Sequence, residues 1–170
     1  MTEPAATQIS LTPLFEVALP HMRHFLTSKS DYRADLIVIG PDNPLEPRWN
    51  QDWFPRFDSL AAYVVVRRAQ PARIIEVGAG HSTRFLARAI RDGNLPTRLT
   101  SIDPQPRAKL SGFDVLTKLL QDLPLSFFGS LTLGEIIFVD SSHVLAPGSD
   151  VERLLEHILA LLPSRILVYC

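Results

Sequence analysis

Apolar residues in the second half of the chain come in short unbroken runs, separated by stretches where they recur every three or four positions. The runs Ile74 to Val77, Ile136 to Val139 and Ile166 to Val168 read as strands covered on both faces, and "RLTSID" supplies another. The periodic stretches read as helices. One runs through "LAAYVVVRRAQ", capped by Asp58 or Ser59 and ended by Pro71, and one runs from Ser82 to about Arg91. Residues 108 to 123 predict a third, and "DVERLLEHILALL", capped by Asp150, a fourth. Between these two, "LSFF" reads at most as a short strand. Strand and helix alternating in this order imply a doubly wound, mostly parallel α/β sheet with right-handed crossovers.

The first 57 residues follow a different pattern. "TPLFEVALPHMRHFL" predicts a short helix interrupted at Pro20, and "DLIVIG" a short strand or extended segment. Pro41, Pro44, Pro47 and Pro55 make "IGPDNPLEPRWNQDWFP" a structured loop, because proline supports neither a continuous helix nor a central strand. The chain therefore divides into an N-terminal extension with a proline-rich loop at 1–57, a candidate lid, and a Rossmann-like domain at 58–170. With 170 residues, 46% of them hydrophobic, it is long enough for one core.

Composition narrows the partners. A formal net charge of -1 gives no field that would draw the protein to nucleic acid or an anionic membrane, so the expected partner is a small molecule. No run approaches the roughly 18 apolar residues of a membrane span. The start, "MTEPAATQIS", lacks the basic and apolar regions of a secretory signal. The single cysteine, Cys170, fits a reducing compartment, and the expected location is cytoplasmic.

The candidate chemistry lies at strand ends, where open parallel sheets bind ligands. In "IIEVGAGHST", Gly78 and Gly80 let backbone approach a ligand, and the helix that follows offers unpaired N–H groups. The dinucleotide fingerprint would place a third glycine where Thr83 stands. An acid, Glu76, precedes the turn and suits a ligand with a positive group. Asp103 ends the next strand, where a carboxylate accepts ribose hydroxyls. Ribose plus cation points to S-adenosylmethionine rather than a nicotinamide dinucleotide.

"IIEVGAGHST", "LTSIDPQPR" and "IIFVDSSHVLAPGSDV", in that order, resemble the motifs of class I S-adenosylmethionine-dependent methyltransferases, in particular the group with a D-S-S-H segment after the fourth strand. The resemblance implies that Glu76, Gly78, Ala79 and Gly80 line the methionine side, with Ser82 at the helix start. It implies that Asp103 holds the ribose, that Pro104 and Gln105 border the adenine, and that Asp122 is a candidate for the adenine amino group. Asp140 and His143 would face methyl transfer to a small-molecule acceptor. In the family the chain continues past the strand that here reads "RILVYC". The sheet is thus expected to be C-terminally shortened, without the final antiparallel strands. The edge left open invites a homodimer. The alternative is a catalytically weak or inactive cofactor-binding or regulatory domain of the same fold.

Other readings stay open beside these. Glu76 could pair with Arg73, and Asp103 could cap the turn before Pro104. Asp140 and His143 could be two metal ligands, but no third is evident, so no metal is expected. His143 suits a general base and equally a loop histidine bonded to backbone. Arg84, Arg88 and Arg91 recur as a helical stripe expected to face solvent. Trp49, Trp53, Phe54 and Phe57 read as packing for the proline-rich loop, or as a cover for the glycine turn.

Overall fold

In the computed structural model the sheet is built around β1 (Arg73–Val77), with the glycine turn directly at its carboxyl end. The structure describes residue 10, residues 12–40, residue 43, and residues 45–106, 112–163 and 166–169. The expectations for Pro41, Pro44, Cys170 and residues 108–111 lie outside them. Preceding β1 are α1 (Thr12–Ser28), α2 (Arg33–Ile37) and α3 (Arg56–Ala69). After it come α4 (His81–Asp92), β2 (Arg98–Ile102), β3 (Asp114–Leu116), α5 (Leu125–Gly129) and β4 (Ile136–Val139). A helix α6 (Asp150–Arg153), prolonged by a wide turn at Leu154–Ile158 and a tight one at Leu159–Leu161, leads to β5 (Leu167–Tyr169).

All four strand pairs are parallel, in the order β3-β2-β1-β4-β5. The chain winds outward from β1 in one direction and then returns to build the other half. The order therefore reverses between β1 and β4, and a crevice opens at their carboxyl ends. Residue alternation along the strands divides the core. Ile74, Ile136 and Phe138 pack under α3 and α4 with Phe85, Leu86 and Val66. Ile75, Val77, Ile137 and Val139 pack on the other face with Phe128, Leu154 and Ile158. Both faces are covered, which is why these strands are apolar without alternation.

Several predicted elements differ. α1 passes through Pro20 without a break. The "DLIVIG" stretch begins as α2 rather than a strand. Neither Asp58 nor Ser59 caps α3: it starts at Arg56 after Pro55, and the Ser59 hydroxyl donates to the Phe54 carbonyl at 2.8 Å. No α-helix occupies 112–123. A third strand, β3, stands there instead, followed by a tight turn at Leu120–Asp122. "LSFF" is the start of α5, not a strand. Ser149, not Asp150, caps α6, accepting from the Glu152 amide at 3.1 Å. β5 is an edge among the described residues, and Leu167 and Val168 are 38% and 39% exposed, so its apolar run is not covered on both faces.

The arginine stripe of α4 faces solvent only at its last member, Arg91. Arg84 is buried, Arg88 pairs with Asp92 at 2.7 Å, and Arg91 reaches Glu46 of the proline-rich loop at 2.5 Å. The loop is also held by Trp49 against Phe85 and by Phe54 against Phe85 and Phe138. Its position beside the crevice is thus set by packing as well as charge.

Candidate active site

The turn after β1 is closed from three sides. The Gly78 amide donates to the Ile102 carbonyl at 2.8 Å, the Ala79 amide to Asp103 Oδ2 at 2.9 Å, and the Gly80 amide to Thr83 Oγ1 at 2.8 Å. Thr83, at the place of the fingerprint's third glycine, fastens the turn to the first turn of α4. The two glycines do different work. Gly78 has φ +97°, and a Cβ there would stand 2.0 Å from the Asp140 carbonyl oxygen. Only glycine lets the ends of β1 and β4 meet so closely. A Cβ on Gly80 would meet nothing within 4 Å, so that position leaves open space on the cleft wall.

Glu76 lies beneath the turn and not on the cleft wall. It is fully buried, accepting from the Ser82 hydroxyl at 2.8 Å and the Ser101 hydroxyl at 2.5 Å. Burial pushes its carboxyl up to about 7, against the opposing pull of hydroxyl bonds from Ser101, Ser82 and Thr83. The carboxylate therefore ties β1, β2 and α4 together. It does not pair with Arg73, which bonds Glu135 at 2.9 Å. Ser82, equally buried, belongs to the same clamp.

A cleft of about 840 Å³ opens above, between the carboxyl ends of β1 and β4. Of the residues predicted to bind a cofactor, Gly78, Ala79, Gly80, Asp103, Pro104 and Gln105 line it, and Glu76, Ser82 and Asp122 do not. Asp122 is exposed at the end of its turn, and its neighbours Leu120 and Gln121 face the cleft instead. The predicted helix over 108–123 misplaced this segment by overlooking β3. Asp103 serves both as a cleft wall and as a turn cap, because its Oδ1 accepts from the Gln105 amide at 2.7 Å.

Asp140 and His143 stand on the opposite wall with Ser141 and Ser142. The Asp140 amide donates to the Val77 carbonyl at 2.8 Å, which sets its position at the end of β4. His143, at φ +57°, brings its Nε2 to 3.6 Å from Asp140 Oδ1, with the ring open to solvent. The Ser142 amide donates to Asp150 at 3.0 Å. Although burial pushes the Asp150 carboxyl up, bonds from the Ser142 hydroxyl and amide hold it below the ordinary range. Among the described residues no three His, Cys, Asp or Glu side chains converge as a metal site. None of the helices searched there is long and apolar enough to cross a membrane.

Sequence reasoning missed His81, Gln121 and Asp150 on the cleft and left Trp53 undecided. The loop aromatics divide: Trp49 and Phe54 pack, whereas Trp53 is 71% exposed and borders the cleft. The Gly-His junction could have drawn attention to His81, since the residue after the last turn glycine opens the helix at a ligand's edge.

A parallel sheet with a glycine turn at its switch point, and carboxylates on both adjoining strand ends, defines an α/β domain built to hold a nucleoside-type cofactor. The model of the family described as "Methyltransferase domain" matches residues 75–170, and the chain belongs to that family, whose cofactor is S-adenosylmethionine. A solved structure similar to this chain is the SAH-bound Podospora anserina methyltransferase PaMTH1, at 13% identity and a TM-score of 0.46, covering 98% of this chain and 72% of that one. No curated protein matches the sequence.

Proposed function

We propose that the chain binds S-adenosylmethionine across the β1–β4 crevice and transfers its methyl group to a small-molecule acceptor lying beside Asp140 and His143. The observation that carries this reading is the cradle itself. Gly80 leaves space on one wall, the Asp103 carboxylate faces it from β2, and Asp140 closes it from β4. The residues present fit the cofactor: Asp103 keeps free lone pairs for two ribose hydroxyls, and Pro104, Gln105, Leu120 and Gln121 offer a mixed wall for adenine. The bound cofactor supplies an electrophilic methyl group on a sulfonium. What this chain supplies is alignment and proton management. Asp140 orients His143 across 3.6 Å, and His143 takes the proton of an acceptor hydroxyl or amine.

Trp53, from the segment before residue 58, screens the acceptor side from water and gives a flat apolar surface. The net charge and the size of the cleft favour a small acceptor, with neither nucleic acid nor membrane as partner, in a cytoplasmic setting. The exposed β5 edge favours pairing with a second copy, which light scattering after gel filtration measures.

Calorimetric titration with S-adenosylhomocysteine is the direct test. Micromolar binding that Asp103→Ala removes is the expected result, and no heat at millimolar ligand would sink the reading. Binding without methyl transfer to any of a panel of hydroxyl and amine acceptors would identify a cofactor-binding domain instead.

A further inference from the structure

Once Glu76 is placed beneath the turn, the amino-acid end of the cofactor has no ionic partner among the residues first expected to hold it. A carboxylate leaving water for a cleft needs donors or a cation. The acids that line the cleft, Asp103, Asp140 and Asp150, repel it. Two basic side chains line the cleft among the described residues, His81 and His143, and His143 stands at Asp140 on the far wall. His81 follows Gly80 directly, at the turn's end.

Resting on the cofactor reading above, we infer that His81, backed by Arg84, forms the subsite that receives the carboxylate of the cofactor's methionine moiety. His81 Nδ1 is buried and has no hydrogen-bond partner, so the ring meets the cleft through its other edge. A neutral imidazole with its hydrogen on Nε2 then leaves only a lone pair buried, the cheaper atom to orphan, and offers a donor to the ligand. Burial, with Arg84 and Arg48 close by, lowers the imidazole's proton affinity, which marks this corner as positive in an otherwise acidic cleft. Arg84 is buried in α4 and contributes a fixed charge from behind.

The test compares two ligands on the full chain by calorimetry. S-adenosylhomocysteine carries the amino-acid end, and 5′-methylthioadenosine has the same adenosine and thioether without it. His81→Ala changes a half-buried side chain, with circular dichroism checking that the variant folds. The substitution is expected to weaken S-adenosylhomocysteine binding about tenfold or more while leaving methylthioadenosine within twofold. His81→Gln, which keeps a donor, is expected to restore much of the loss. Equal losses for both ligands, or no loss for S-adenosylhomocysteine, would overturn the assignment. If the unaltered chain binds methylthioadenosine but not S-adenosylhomocysteine, the subsite fails while the nucleoside cradle stands. If it binds neither, the cofactor reading falls and takes this assignment with it.

Discussion

Gly78 and Gly80 lie two positions apart and answer to different constraints. Gly78→Ala forces a Cβ into the Asp140 carbonyl and a side chain onto a left-handed backbone, so a loss of about 3 kcal/mol or more is expected in urea unfolding. Gly80→Ala is expected to leave the unfolding midpoint nearly unchanged and to weaken S-adenosylhomocysteine binding. Glu76 yields a pH signature. Its native carboxyl keeps its proton up to about pH 7, whereas the unfolded one releases it near 4.5. Between those values the native state binds more protons, so stability falls as pH rises, by on the order of 3 kcal/mol over the window. Glu76→Gln, which imitates the protonated acid, is expected to flatten that slope in unfolding curves taken from pH 5 to 8. Gly78, Asp103 and Asp140 were legible because each lies at a strand end that local pattern announces. Glu76 was not: chain order puts it beside the turn, but pleat alternation aims it into the α4 face. Nor were Trp53 and Gln121, whose places depend on how the loop and β3 settle.

At the scale of elements, sequence pattern served best where burial was symmetric. β1, β2 and β4 are found where their apolar or near-apolar runs predicted, within a residue or two. Misreadings cluster where tertiary context overrides propensity. β3 is a three-residue strand with its first residue exposed, too short to leave a period, and its pairing with Thr100 to Ile102 defines it. α1 tolerates Pro20 although the ring removes a backbone donor, and local pattern gave no means of foreseeing that. β5 is held less by strand propensity than by Tyr169, whose ring stacks on Phe138 at 4.4 Å and whose hydroxyl donates to the Asp58 carbonyl at 3.1 Å. Tyr169→Ala is expected to cost about 2 kcal/mol and to raise amide exchange in β5 before β1 or β2. Uniform exchange across the sheet would show that β5 has no separate anchorage.

For the whole molecule, a ligand that binds only the native state adds stability through mass action. At a hundredfold excess over its dissociation constant, S-adenosylhomocysteine is expected to contribute about 2.7 kcal/mol and raise the melting temperature by roughly 5–10 °C. A thermal scan of the Asp103→Ala chain beside the unaltered one should show the rise only in the latter. The strand order adds a kinetic side to this coupling. β1 pairs with β2 soon after both are made, but Ile74 meets Ile136 only after a long intervening stretch has emerged. One wall of the cleft is therefore translated well before the other, and a chain arrested upstream of β4 carries the glycine turn with nothing opposite it. In refolding, the β1–β4 pairing, distant in sequence, is expected to set the pace. Ligand fluorescence or heat followed in time should lag the far-ultraviolet signal of the helices, so that cofactor capture serves as a clock for closure of the sheet's centre.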